Sequence, residues 1–159
     1  MTGLYLILDC EFIMTNNFKI YAVFPGCGKT YLETTLFDKY DIIDFDFYNF
    51  KYHSGKRTNW LNSYLERLDQ LKSKFDYVLI NAVPEILSEI KDLTGVIYPH
   101  RSLKDEWINR IKQRNPESQF SNTLEQNWDK WIDACEEYNG YRFILSNKQY
   151  LIDVWENII

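Results

Sequence analysis

The sequence is short of cysteine, short of basic charge and without a long apolar run, and each shortage removes a class of protein. Its three cysteines, Cys10, Cys27 and Cys135, form no Cys-x-x-Cys pair. Neither a disulfide scaffold nor a zinc site is readable from them, and a reducing cytoplasm is the expected compartment. Lys and Arg number 18 against 23 Asp and Glu, a net charge of -5, which argues against a chain whose main task is to coat nucleic acid. Nothing approaches the run of about 18 apolar residues that a membrane span needs. The apolar opening from Leu4 to Met14 is broken by Asp9 and Glu11 and has no basic flank, so a signal peptide does not fit either. What remains is 159 residues with 45% apolar and 17% aromatic side chains, enough for one domain with an aromatic-rich core or cleft.

Strand and helix patterns alternate along the chain. Phe18 to Val23 is a short apolar run that ends at Pro25-Gly26, the form of a buried strand entering a turn. Tyr40 to Asp44, Tyr77 to Ile80, Gly95 to Pro99 and Arg142 to Leu145 are the further strand candidates. Helical spacing is read over Lys29 to Phe37, from Asn59 through Leu71, and over Pro84 to Ile90. It recurs over Leu103 to Arg114, Thr123 to Tyr138 and Gln149 to Ile158. Strands alternating with helices in this way predict an α/β domain, a parallel sheet of about five strands covered on both faces. Residues 1 to 13 are read either as an extra edge strand or as an extension from an upstream start, with Met14 and a polar Thr15-Asn16-Asn17 link following.

Between the first strand and first helix stands Phe24-Pro25-Gly26-Cys27-Gly28-Lys29-Thr30. Holding a triphosphate takes converging backbone amides, a cation for the phosphate oxygens and a hydroxyl for Mg²⁺. Gly26 and Gly28 permit the turn, Lys29 supplies the cation and Thr30 the hydroxyl, at a helix N-terminus whose dipole favours anions. A chance Gly-Lys-Thr at a helix start is the alternative. The loop resembles the Walker A motif of P-loop NTPases, with Val23 where that motif has its first glycine. The resemblance implies ATP with Mg²⁺ as cofactors, held around Pro25, Gly26, Cys27, Gly28, Lys29, Thr30 and Tyr31. Cys27 contributes its amide and is given no redox role.

Asp44-Phe45-Asp46 closes the second strand at the edge where the loop closes the first, and ligands collect at those carboxyl ends. The two acids, two residues apart, face one side in extended geometry; two solvated acids in a turn are the alternative. The pattern resembles the D-x-D element of small P-loop kinases, which implies that Asp44 holds the Mg²⁺ shell together with Thr30 and that Asp46 meets the acceptor. At the end of the third strand an acid is expected for a Walker B element, and Asn81 stands there instead.

Arg110 and Arg114 lie one helical turn apart after the fourth strand, in a segment richer in basic than in acidic residues. They resemble the lid arginines of nucleoside monophosphate kinases, which implies a catalytic role beside Lys29 and a lid-like segment over residues 100 to 122. A solvated helix face with Glu106 paired to Arg110 is the other reading. Arg57 and Trp60 fall where such kinases bind the acceptor, although a tryptophan at a helix start also suits a core. Asn147, after the fifth strand, matches the adenine-contacting position by resemblance. His53 and His100 are isolated and receive no role.

From Phe18 to Ile158 the pattern is similar to a compact P-loop kinase of the nucleoside monophosphate kinase, or adenylate kinase-like, class, particularly the small ones encoded by bacteriophages of Gram-positive hosts. The expected function is phosphoryl transfer from ATP to a nucleoside or deoxynucleoside monophosphate. A nucleotide-binding regulator or weak ATPase, acting through a host or phage protein partner, is the alternative that Val23 and Asn81 motivate. A homodimer is compatible with either, and no membrane partner is expected.

Overall fold

The computed structural model describes residues 19–46 and 60–159. The extension 1–17, and the segment that carries Lys56 and Arg57, lie outside the described residues. Five strands form one parallel sheet: β1 (Lys19–Val23), β2 (Ile42–Asp44), β3 (Tyr77–Asn81), β4 (Gly95–Pro99) and β5 (Arg142–Leu145). Their spatial order is β2-β3-β1-β4-β5. The central strand β1 is buried from Ile20 to Val23 because neighbours flank it on both edges and helices cover both faces, which is why it reads as a continuous apolar run. Its register sets Ala22 beside Ile80 of β3 and beside Val96 of β4.

The register also sorts side chains to the two faces. Tyr21 pairs with Leu79 and Ile42 with Tyr77, so Tyr21 and Tyr77 share a face. There both meet Trp155 of α6 (Leu151–Ile158) edge to face, at 5.6 and 5.3 Å between ring centroids. Helix α1 (Lys29–Leu36) packs beside α6. On the other face, Phe24 packs against Trp128 and Trp131 of α5 (Phe120–Glu136), at 5.3 and 6.4 Å. Helix α2 (Trp60–Lys72) lies on β3 there and stacks Tyr64 on Phe45 at 4.3 Å. The short α3 (Pro84–Leu87) also packs on α5, as does α4 (Lys104–Arg114). The result is a three-layer α/β arrangement, the parallel sheet covered on both faces that the alternating pattern predicts.

Boundaries moved where local hydrogen bonds outrank periodicity. Helix α5 begins at Phe120 rather than Thr123, because Ser118 Oγ accepts the Phe120 N–H at 3.1 Å. The helix expected from Leu103 is preceded by a 3₁₀ turn (Arg101–Leu103), at whose start a His100 ring nitrogen accepts the Ser102 N–H at 3.2 Å. Helix α6 starts at Leu151, where Asp153 accepts the Tyr150 N–H at 2.8 Å. No helix among the described residues is long and apolar enough to cross a membrane.

Candidate nucleotide-binding site

The loop 24–30 leaves the carboxyl end of β1, in the middle of the sheet, where strand order sends the chain to one side for β2 and β3 and to the other for β4. Gly26 and Gly28 take φ of 81° and 93°, the left-handed region that an ordinary side chain enters at a cost of roughly 1–2 kcal/mol. Gly28 is the N-cap of α1. The Phe24 N–H is engaged by the Ile97 carbonyl and the Leu32 N–H by that of Gly28. Between them no loop amide donates to a partner among the described residues. A helix N-terminus with open amides is the arrangement that receives an anion.

Asp44, at the end of β2, gathers the polar side chains of this loop. Thr30 Oγ1 donates to Asp44 Oδ2 at 2.8 Å, and Lys29 Nζ lies 3.9 Å from Oδ1. The two ionic side chains are only 8% and 10% exposed for Asp44 and Lys29 respectively, so water screens the pair weakly. The Asp44 N–H in turn donates to Glu33 of α1, which ties strand and helix together. Asp44 Oδ1 is buried without a hydrogen-bond partner, a costly condition that a cation would relieve. Mg²⁺ binds through one or two carboxylates, keeping waters and taking substrate phosphates for the rest. Asp44 and Thr30 fit that demand, and the absence of any three-ligand acidic cluster among the described residues does not conflict with it.

Beyond Asp44 the chain is aimed by packing. Phe45 donates its N–H to the Leu79 carbonyl and accepts from the Tyr64 hydroxyl at 3.1 Å. Burial first, and then the charges of Asp46 and Asp44, push that hydroxyl well above its ordinary range, so it remains a donor. Asp46 then lines a cleft of about 350 Å³ with Lys29, Thr30, Asn81, Arg114, Asn115 and Ser118. Asn81 is 3% exposed, at the carboxyl end of β3.

The two arginines of α4 differ. Arg114 is exposed and lines both this cleft and a second one of about 860 Å³, which also carries Tyr31, Thr34, Tyr150 and the edge of Arg110. Arg110 is inserted between two rings, its guanidinium carbon 3.6 Å from the Trp107 centroid and 4.0 Å from that of Tyr150. It also donates to the Gly26 carbonyl and to Glu106, both at 3.4 Å, so the expected Glu106 pair exists, but in a part-buried setting. Arg101 is held by Asp129, Asp133 and Glu136 of α5 and so is turned from the site. Trp60 is half-buried and meets Tyr64 edge to face at 6.4 Å. Asn147 is exposed in the turn after β5.

Cys27 is fully buried, and burial pushes its thiol up to about 12. A thiol so held is inert near neutrality, in keeping with a loop position whose backbone matters; its carbonyl accepts the Leu151 N–H at 2.8 Å. Sequence reading missed Glu33, Trp107 and Tyr150. Glu33 could have been found as the residue one turn beyond Thr30 on α1; the two rings carry no local signal. Comparison with protein-family models finds no match to this chain, and comparison with curated proteins finds none either.

Proposed function

We propose that the chain is an ATP- and Mg²⁺-dependent phosphotransferase acting on a nucleoside or deoxynucleoside monophosphate, of the P-loop, adenylate kinase-like kind. One observation carries the reading. A threonine hydroxyl and a lysine ammonium converge on one buried carboxylate that keeps an oxygen without a hydrogen-bond partner, beside a loop of unengaged amides. In this reading the loop amides and Lys29 receive the β- and γ-phosphates, and the α1 dipole adds to their charge. Lys29 exchanges its 3.9 Å contact with Asp44 for phosphate oxygens, which frees Asp44 and Thr30 to hold the metal shell. Mg²⁺, when bound, withdraws charge from the phosphate oxygens and fixes their orientation. Arg114, exposed at the rim of both clefts, brings the positive charge that the transferring group needs. Asp46 orients the acceptor in the smaller cleft. No general base is needed, because an acceptor phosphate is already ionised near neutral pH.

The second reading, a nucleotide-controlled binding protein or weak ATPase, draws on Asn81, a neutral side chain buried where a metal-directing acid would be expected. One experiment separates the two: the protein with ATP, Mg²⁺ and each monophosphate in turn, beside Lys29→Ala, both nucleotides being followed by chromatography. Conversion of one monophosphate to a diphosphate, absent in the variant, supports the kinase. Slow ADP formation indifferent to every monophosphate overturns it in favour of the second reading.

A further inference from the structure

We infer that Arg110 is a positioning residue, whose guanidinium clamps the outer side of the glycine loop in its anion-receiving conformation, and that it does not itself touch the nucleotide. The inference rests on the proposed reading that the loop takes phosphates. A guanidinium has two flat faces and five N–H donors. Here both faces are occupied, by Trp107 at 3.6 Å and Tyr150 at 4.0 Å. Two donors meet the Gly26 carbonyl and Glu106, and the side chain is 9% exposed. No face remains on which a base could stack.

The same two rings roof the loop. A Cβ on Gly26 would lie 3.0 Å from Trp107 Cδ1, and one on Gly28 would lie 3.3 Å from Tyr150 Cδ1. The stack is braced from behind: Glu106, already bonded to Arg110, accepts the Lys148 N–H at 2.9 Å, and Leu151, next to Tyr150, donates to the Cys27 carbonyl. Helix α4, the turn before α6 and the loop therefore meet at one cation. A lysine cannot replace it, because an ammonium has neither the planar faces nor the fork.

The test uses inorganic tripolyphosphate with Mg²⁺, a probe that has no base, titrated calorimetrically into the full chain. The forms compared are wild type, Arg110→Lys, Arg110→Ala, Tyr150→Leu and the Arg110→Ala/Tyr150→Leu double variant. Affinity should fall about tenfold in both Arg110 variants, a few-fold in Tyr150→Leu, and no further in the double variant than in the worse single one. Recovery of wild-type affinity by Arg110→Lys would overturn the inference, since a direct phosphate contact needs only charge. Unchanged tripolyphosphate binding alongside weakened ATP binding would overturn it too, by making Arg110 a base-stacking group. Urea unfolding of the same set without ligand supplies the independent reading: non-additive midpoint shifts support the clamp, and additive shifts overturn it. Wild-type protein that binds neither ATP nor tripolyphosphate overturns the proposed function, and the unfolding set alone then decides whether the stack holds the loop.

Discussion

Along its inner side, facing the smaller cleft, the glycine loop leaves groups open: its amides between Phe24 and Leu32 lack acceptors among the described residues, Asp44 keeps one oxygen unbonded, and Lys29 holds its partner at only 3.9 Å. Along its outer side the backbone is covered by packing, with Trp107 Nε1 the one buried polar atom among the described residues there that has no hydrogen-bond partner. Gly26 and Gly28 are covered by Trp107 and Tyr150, Arg110 fills the gap between those rings, and Cys27 is sealed in. The difference teaches that the loop's shape is set from behind by packing, so its front can remain unsatisfied until a ligand arrives. Preorganisation of this kind places the cost of ordering in the fold rather than in binding. Changes on the inner side should therefore lower activity with little effect on stability, and changes on the outer side should do both.

The largest expected effect is on the inner side. Lys29→Ala should lower phosphoryl transfer by about 10³-fold, the scale of losing one preorganised charge donor, while the unfolding free energy from urea falls by only about 1 kcal/mol, since the ion pair lost is long, 3.9 Å, and Asp44 keeps the Thr30 hydroxyl. A large loss of stability would break the division between the two sides. Next comes Asp44→Asn, which keeps the size of the side chain and can still accept from Thr30 but removes the charge. Turnover should fall about 10²-fold, and rising Mg²⁺ should recover part of it. Turnover indifferent to this change would move the metal site elsewhere, with Asn81→Asp the variant then expected to strengthen it.

Gly26→Ala tests the outer side. At φ 81° its methyl is strained whatever the space, and Trp107, fully buried, stands 3.0 Å away and cannot yield. The variant should lose roughly 1–3 kcal/mol in urea unfolding and bind ATP more weakly as well. Weaker binding at unchanged stability would show that the outer side is not what holds the loop.

Legibility in the sequence follows the same division. The inner side was readable because Gly26, Gly28, Lys29 and Thr30 are contiguous and Asp44 ends an apolar run, so local chemistry and local pattern coincide. The α/β alternation was readable for the same reason, since β-branched and aromatic runs alternate with helical spacing. The strand order was not, because placing β3 between β1 and β2 depends on crossovers that no local window contains. The outer side was equally hidden. Trp107 and Tyr150 read as ordinary aromatics of two helices, and only the fold brings them onto one guanidinium. The N-terminus of α5 lies ahead of the apolar pattern because Ser118, outside that pattern, accepts the Phe120 N–H.

The smallest effect sharpens the claim that Cys27 is sealed on the outer side. An ordinary thiol loses its proton near 9.0, whereas burial holds that of Cys27 to about 12; Cys135 is raised by burial as well. The folded state thus keeps a proton that the unfolded chain releases, so stability is complete below pH 9 and declines as pH rises from there toward 12. Between pH 9 and 10 each such thiol should remove about 1 kcal/mol, on top of smaller losses from the tyrosines that burial also raises. Cys27→Ala should therefore decline by about 1 kcal/mol less than wild type across that interval, even though the substitution lowers the whole curve by a constant for the vacated volume. Urea midpoints at pH 8, 9 and 10 would measure it. A parallel decline in wild type and variant would mean that the thiol titrates in the folded protein, and that the outer side of the loop is open to water.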